Sequence, residues 1–356
     1  MLESAPAPAR GAAATSMDLT LIVPGLAASV AQARAADDAL ARFARHAAPA
    51  TIEGDSLAHA TAAALGLADP AASAPLRARG AGLDPADDYV LGADPVALVA
   101  GRQDVRLESA IDDLDAAEAA ALIAALDAHF ADDGLAFAAP RPDTWFARLR
   151  RTPALETTPL DAIVGRPILH ALPRGSEGGT WQRWQNETQM LLFTHPVNAA
   201  REARGLRPVT GVWFWGGGRA GAQPAIGPET LALGTAGAAG DLLRGAAREA
   251  GRPADAPPAS FDGLDERLRT PGLSRAIVGV PALAGSDALP AFAAAWADPA
   301  TRALERGALR SLSLVGDGLG GVVRWTATRP SALARLRSFT RRRGLALPPE
   351  MSEPGR

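Results

Sequence analysis

The sequence contains no cysteine, and all 36 of its basic residues are arginine, so it contains no lysine either. Without cysteine the chain cannot form a disulfide framework, a thiolate metal site or a cysteine nucleophile. Without lysine it cannot form a Schiff base or supply the lysine of a phosphate-binding P-loop. A cysteine-free chain is compatible with a reducing compartment, and we predict a cytoplasmic location.

Long apolar runs are also missing. No segment reaches the roughly 20 apolar residues that a membrane helix needs, and the first ten residues lack the order of a signal peptide. The formal net charge of -3 gives no reason to expect nucleic acid or an anionic membrane as a partner. Hydrophobic residues make up 47% of the chain and charged residues 21%, which is typical of a folded globular protein.

The order of apolar and turn-forming residues predicts an α/β protein with a mixed sheet and flanking helices. Residues 1–16 are rich in Ala and Pro and are predicted to be a disordered tail. Residues 17–345 are predicted to form a single large domain, and 346–356 a flexible tail. Prolines recur through 135–179, which marks this stretch as a candidate seam between subdomains.

Several elements have clear local signals. Asp115 followed by Glu118 is typical of a helix N-terminus, and Gly134 of a helix end. Turn residues predict two hairpins, at 89–107 and 312–325, the second with Asp317 in its turn. Further patterns predict a first strand at 19–23, a helix at 180–194 and a buried strand at 209–215 that stops at three glycines.

The best candidate site combines polar residues of the 180–201 region with the end of the next strand. Glycines that directly follow a strand allow the backbone to approach a ligand, although three glycines are also typical of a flexible loop. His195 suits proton transfer or anion contact, or else a bond to a helix-end carbonyl. The candidate residues are Asn186, Glu187, Gln189, His195, Asn198, Arg201, Trp215, Gly216, Gly217 and Gly218.

Two further features bear on chemistry. Asp94, before Pro95, either places a carboxylate at the end of a strand or starts an ordinary turn. The five histidines show no spacing typical of metal ligands, so no metal site is predicted from the residues.

A family resemblance rests on segments in a fixed order across about residues 18–330. The segments are YVLGADPV (89–96), LIAALDAHFADDG (122–134), NETQMLL (186–192), HPVN (195–198) and VWFWGGG (212–218). With these segments in this order, the chain resembles the proteobacterial RpfE-type regulatory proteins, which are often labelled cofactor-independent phosphoglycerate mutases.

This resemblance implies an alkaline-phosphatase-like core, and for an active mutase two divalent metal ions with a Ser or Thr nucleophile. Where such enzymes place an Asp after the first strand, this chain has Val23, Pro24 and Gly25, with Ser29 as the nearby hydroxyl. The resemblance thus leaves two hypotheses. The favoured one is a regulatory, non-catalytic protein that binds a small anionic molecule through Asn186, Glu187, Gln189 and Asn198.

The alternative is an active metal-dependent phosphoglycerate mutase. In that case His195 would act as acid and base, and Arg201 with the backbone of 216–218 would contact phosphate. Neither hypothesis names a protein partner.

Overall fold

The computed structural model describes residues 17–33, 39–102, 104–221, 226–318, 320–329 and 345–352. The tail predicted at 1–16 and the last four residues of the tail predicted at 346–356 lie outside these ranges. Strands within the described residues are β1 (Met17–Ile22), β2 (Thr51–Gly54), β3 (Tyr89–Ala100), β4 (Val105–Ala110), β5 (Ala136–Arg141), β6 (Thr144–Leu149), β7 (Gly211–Arg219), β8 (Thr230–Leu233), β9 (Arg275–Gly279), β10 (Leu309–Gly318) and β11 (Gly321–Thr328).

Helices surround these strands. A short π-helical segment, Ala293–Ala297, joins two of them into one continuous helix. The helices are α1 (Leu26–Gln32), α2 (Ala41–Ala44), α3 (Leu57–Leu65), α4 (Ala74–Ala81), α5 (Ala116–Phe130), α6 (Leu160–Ile163), α7 (Gly178–Phe193), α8 (Pro196–Ala203), α9 (Ala238–Glu249), α10 (Phe261–Leu268), α11 (Leu289–Phe292), α12 (Asp298–Arg306) and α13 (Pro349–Ser352).

The first sheet is mixed and has the strand order β2-β11-β10-β1-β9-β8. Strands β8, β9, β1 and β10 run parallel, whereas β11 pairs antiparallel with β10 and β2. Parallel neighbours need crossover connections, and helices such as α9, between β8 and β9, supply them. The predicted α/β class with a mixed sheet and flanking helices is confirmed.

The second sheet is antiparallel and is built around β3, the longest strand. One side of β3 pairs with β4 and β6, and β5 pairs in turn with β6. The other side pairs with β7. The hairpin predicted for 89–107 is therefore β3 with β4, and the structure extends it into a five-stranded sheet.

Local sequence signals account for several element boundaries. The side chain of Asp115 accepts a hydrogen bond from the backbone N–H of Glu118, and the Glu118 side chain accepts one from the backbone of Asp115. This reciprocal pair fixes the start of α5, as predicted. The hairpin predicted at 312–325 is β10 with β11, but Asp317 lies in β10, opposite Val322, rather than in the turn.

The strand predicted to stop at Gly216 does not stop there. β7 continues through all three glycines to Arg219, and the pairing with β3 shifts register between Val90 and Gly92. Gly216 has φ +73, a conformation that L side chains rarely adopt. A bulged strand tolerates one such residue without ending, which a sequence pattern cannot distinguish from a stop.

Apolar residues from both sheets share one buried cluster. Ile22, Ile277 and Val315 of the first sheet belong to it together with Val96 and Trp213 of the second sheet. The predicted seam at 135–179 begins with β5 and β6 of the second sheet. The predicted single domain ends at residue 345. The next residue, Ala346, accepts a hydrogen bond at its carbonyl oxygen from the Trp325 indole at 2.8 Å. The domain assignment itself stays a prediction.

Candidate functional site

A cavity of about 270 Å³ lies where α4, the second sheet and the start of α9 meet. Asp94 of β3 and Trp215 of β7 line it, together with Arg77 of α4. Gly237 and Ala238, at the N-terminus of α9, also line it. Because α9 follows β8, the cavity lies beside the carboxyl end of a parallel strand, where α/β sheets commonly bind ligands.

Arg77, Asp94 and Trp215 form a buried polar cluster. Arg77 Nη2 donates to Asp94 Oδ1 at 2.6 Å, and Trp215 Nε1 donates to Asp94 Oδ2 at 2.7 Å. The Arg77 and Asp94 side chains are 5% and 4% exposed. The guanidinium carbon of Arg77 also lies 4.9 Å from the ring centroids of both Trp215 and Phe146. This cation–π geometry holds the arginine in place.

Two of the Arg77 nitrogens are unsatisfied donors. Nε and Nη1 are buried and have no hydrogen-bond partner. Since buried polar groups in proteins are nearly always paired, these two donors single out Arg77 among the residues that line the cavity.

Glycines allow this cluster to assemble. A Cβ at Gly92 would lie 2.7 Å from Arg77 Nη1 and 2.7 Å from Trp215 Nε1. A Cβ at Gly80 of α4 would lie 1.7 Å from the Asp241 carbonyl oxygen, and one at Gly245 of α9 would lie 2.0 Å from that of Leu76. The two helices therefore pack backbone to backbone, which places Arg77 beside the start of α9.

The N-terminus of α9 has no side-chain cap. The first backbone N–H groups of a helix lack intrahelical acceptors and carry a partial positive charge. Arg141 holds the first turn in place, because its Nη1 donates to Asp241 Oδ1 at 3.0 Å and its Nη2 to Asp241 Oδ2 at 2.6 Å. The result is an uncapped helix start that faces the cavity.

Three more carboxylates line the cavity: Asp112, Asp143 and Asp161. Asp143 Oδ1 accepts a hydrogen bond from Thr144 Oγ1 at 3.0 Å, and its distance to Arg141 Nε is 3.7 Å. Asp112 is exposed and forms no hydrogen bond or ion pair with any described residue. The cavity thus combines one buried cation with an acidic lining.

Asp161 is engaged with α3. Its Oδ1 accepts from Ser56 Oγ at 2.7 Å and its Oδ2 from the Ala58 N–H at 2.9 Å, so it caps that helix. Burial raises the pKa of Asp161 and outweighs these hydrogen bonds, and the nearby Asp317 raises it further. Burial also lowers the pKa of His59 on the same helix. Both shifts favour the neutral forms.

The structure brings together only part of the predicted site. Asp94 and Trp215 meet at the cavity, and Gly216 lies next to them in β7, where its N–H donates to Thr157 Oγ1 at 3.1 Å. A Cβ at Gly217 would lie 2.2 Å from the Tyr89 hydroxyl oxygen, and one at Gly218 2.9 Å from the Ala72 carbonyl oxygen. These two glycines make room for neighbouring residues.

The predicted residues of α8 lie elsewhere and contact the backbone or other charges. His195 caps α8, accepting from the Val197 N–H at 3.2 Å. Asn198 donates to the carbonyl oxygens of Leu192 and Val209, both at 2.8 Å. The Arg201 side chain is fully buried; its Nη1 donates to Glu118 at 2.7 Å, and its Nη2 pairs with Asp113. None of the three lines the cavity.

The predicted residues of α7 also lie away from the cavity. Glu187 Oε2 lies 3.3 Å from His129 Nε2, and its Oε1 lies 3.4 Å from Arg183 Nε. Gln189 Nε2 donates to the Gln185 carbonyl at 3.4 Å and lies 3.5 Å from Asn186 Oδ1. Their predicted contacts with a ligand stay predictions.

Sequence reasoning missed Arg77, Asp112, Asp143, Asp161 and the start of α9. The available signals were weak: an arginine within an Ala-rich helix reads as an exposed residue, and Asp143 reads as a turn residue. What these residues share is position in space, which depends on the pairing of distant segments.

The described residues do not fit a two-metal site. They contain no group of three or more His, Asp or Glu side chains that could hold a metal ion. At the end of β1, Asp317 Oδ1 accepts a hydrogen bond from the Gly25 N–H at 2.6 Å, so a backbone donor already engages this carboxylate. Ser29 is buried, and its hydroxyl has no partner.

No described helix is both long and apolar enough to span a bilayer.

Comparisons with known proteins show a partial relationship. Over 164 residues the chain is 32% identical to 2,3-bisphosphoglycerate-independent phosphoglycerate mutase 2 of Methanothermobacter thermautotrophicus, covering 45% of this chain and 40% of that protein. Over 88 residues it is 36% identical to the 2,3-bisphosphoglycerate-independent phosphoglycerate mutase of Methanothrix thermoacetophila, covering 25% and 22% respectively. The alignments thus span less than half the length of these relatives.

Two solved structures are similar over most of the chain. A cofactor-independent phosphoglycerate mutase from Thermoplasma acidophilum has a TM-score of 0.40 at 16% identity, covering 88% of this chain and 90% of that one. A protein from Pyrococcus horikoshii has a TM-score of 0.44 at 16% identity, covering 89% and 88%. Scores of this size do not establish a shared fold.

No protein-family model matches the chain. The sequence identities alone make it a remote relative of phosphoglycerate mutases over part of its length. The resemblance to RpfE-type regulatory proteins stays a prediction.

Proposed function

We propose that this protein is a phosphoglycerate-mutase-like regulatory protein that binds a small anionic molecule in its cavity and does not transfer phosphoryl groups. One observation carries the proposal: Arg77, whose buried Nε and Nη1 have no hydrogen-bond partner, and the uncapped start of α9 line the same cavity. A guanidinium and a helix N-terminus are both preferred partners of carboxylates and phosphates.

The chemistry of the lining favours binding over catalysis. Thr144 supplies a hydroxyl at the cavity, and Arg141 Nη2 donates a hydrogen bond to its oxygen at 2.9 Å. This hydroxyl also donates to Asp143 Oδ1 at 3.0 Å, but its oxygen accepts from a guanidinium, which engages one of its lone pairs and makes it a weaker nucleophile. His195, the predicted acid and base, lies outside the cavity.

The alternative is an active mutase, and the names of the curated relatives favour it. In a mutase of this type, divalent metal ions would polarise the phosphoryl group. We expect no such turnover, because Asp317 and Asp161 already accept hydrogen bonds from protein donors and the described residues hold no group of three His, Asp or Glu side chains that could bind a metal ion.

The test measures turnover and binding together. Phosphorus NMR follows 3-phosphoglycerate with and without manganese, using wild-type protein and His195→Ala. Isothermal calorimetry measures the binding of 3-phosphoglycerate and of glycerate. We expect no 2-phosphoglycerate and measurable binding of at least one of the two anions. Metal-dependent formation of 2-phosphoglycerate would refute the non-catalytic part.

A matched pair of variants locates the anion. Ala238→Asp places a carboxylate at the first position of α9, where it would occupy the positive helix start and oppose anion binding. Ala116→Asp makes the same change at the first position of α5, away from the cavity. We expect binding to weaken at least about tenfold in the first variant only. Equal affinities in both variants would mean that the anion does not bind at α9.

A further inference from the structure

We infer that the molecule bound in this cavity is zwitterionic, an α-amino acid with an apolar side chain. The inference rests on the proposed function, because it keeps an anionic carboxylate of the ligand at the start of α9 and adds an ammonium group beside it. Its starting point is the part of the lining that the structure describes, which holds four carboxylates, Asp94, Asp112, Asp143 and Asp161, and one guanidinium, Arg77. An anion alone would leave Asp112, which has no partner among the described residues, without a positive charge beside it.

The four carboxylates differ in how far the protein already neutralises them. Asp94 is paired with Arg77 and with the Trp215 indole. Asp161 accepts two hydrogen bonds from the start of α3. Asp112 has no partner among the described residues, and Asp143 accepts one hydrogen bond, from Thr144, with Arg141 at 3.7 Å. A cationic group on the ligand would therefore contact Asp112 and Asp143.

The carboxylates that would bind the ammonium lie close to the helix start that would bind the carboxylate of the ligand. Arg141 contacts both Asp143 and Asp241, and Asp241 lies in the first turn of α9. The carboxylate of Asp143, whose Oδ2 has no partner among the described residues, therefore lies beside the helix start that would receive an anion. In an α-amino acid the carboxylate and the ammonium are bonded to the same carbon. This spacing matches a site whose anion-binding and cation-binding groups adjoin.

Apart from the Thr144 hydroxyl, the remaining side chains of the described lining are apolar. Ile111 is buried, Leu160 is half-buried, and Val164 is 43% exposed at the same cavity. Together with the Trp215 ring they offer a surface for a hydrocarbon side chain. A sugar phosphate would leave these groups without an apolar partner, whereas a leucine-like side chain would cover them.

The test compares three molecules with one hydrocarbon skeleton by calorimetry on the full-length protein. L-leucine carries both charges, 2-hydroxy-4-methylpentanoate replaces the ammonium by a hydroxyl, and 3-methylbutylamine lacks the carboxylate. We expect L-leucine to bind at least about tenfold more tightly than either analogue. Equal affinity for L-leucine and the hydroxy acid would overturn the zwitterion and leave anion binding intact.

Variants locate the ammonium. In Asp112→Asn/Asp143→Asn we expect the preference for L-leucine over the hydroxy acid to fall to about twofold or less. The matched control is Asp132→Asn/Asp133→Asn, which removes two exposed carboxylates outside the cavity and should keep the preference. An unchanged preference in the first variant would overturn the assignment. If no amino acid and neither 3-phosphoglycerate nor glycerate binds, the proposed function fails with the inference.

Discussion

The buried pair of Arg77 and Asp94 makes a strong prediction about stability. The two side chains are 5% and 4% exposed and lie 2.6 Å apart. Arg77→Leu removes the cation and leaves a carboxylate buried without its counter-ion. Breaking a buried pair in this way costs about 3–5 kcal/mol. Asp94→Leu should cost a similar amount, because it leaves the guanidinium unpaired and deprives the Trp215 indole of its acceptor.

The double variant Arg77→Leu/Asp94→Leu should be less destabilised than the sum of the single variants. It leaves no unpaired charge, and the main residual cost is the unsatisfied Trp215 Nε1, about 1–3 kcal/mol. We therefore expect the sum of the single effects to exceed the double effect by at least about 2 kcal/mol. Urea unfolding, monitored by tryptophan fluorescence and circular dichroism, gives the free energies of unfolding.

The control for this comparison of single and double variants is an exposed ion pair. Arg269 and Asp265 are one turn apart on the surface, with side chains 74% and 28% exposed. Their replacement by alanine should change the free energy of unfolding by about 1 kcal/mol or less. If the effects of Arg77→Leu and Asp94→Leu add within about 0.5 kcal/mol, the two side chains do not form the coupled buried pair described above.

Two further predictions concern helix packing and pH. Gly245→Ala should lower the free energy of unfolding by about 1–3 kcal/mol, because its Cβ would lie 2.0 Å from the Leu76 carbonyl oxygen; Gly179→Ala, with open space at its Cβ, should not. Urea unfolding measures both changes, and equal losses in Gly245→Ala and Gly179→Ala would contradict the close packing of α4 against α9. Burial raises the pKa of Asp161, so over this pH range the folded protein binds more protons than the unfolded protein. The contribution of Asp161 to the free energy of unfolding therefore falls as the pH rises from 3.8 through the raised pKa. Asp161→Asn should flatten that part of the pH–stability profile, and an unchanged slope would contradict it.

Local signals in the sequence predicted elements whose causes are local. The capping pair of Asp115 and Glu118 and the hairpin of β3 with β4 were predicted because each depends on residues close in the chain. The mixed sheet was predicted from alternating strand and helix patterns, although the order of its strands depends on long-range pairing.

The cavity could be predicted only in part. Asp94 and Trp215 stood out as a carboxylate and an aromatic residue near strand ends, and both line it. Arg77 did not stand out, because its burial depends on the contact between α4 and α9, whose glycines are 165 positions apart at Gly80 and Gly245. Sequence spacing carries no information about such a contact.

The contacts around the cavity give binding a structural consequence. Close packing at Gly80 and Gly245 fixes α4 against α9, so Arg77 and the start of α9 are held as one unit. The bond from Arg77 to Asp94 attaches this unit to the second sheet. A ligand that contacts Arg77 and the helix start together would therefore strengthen the attachment of this unit to the second sheet. In a protein that acts by binding rather than by turnover, such a change in coupling is what a partner could recognise.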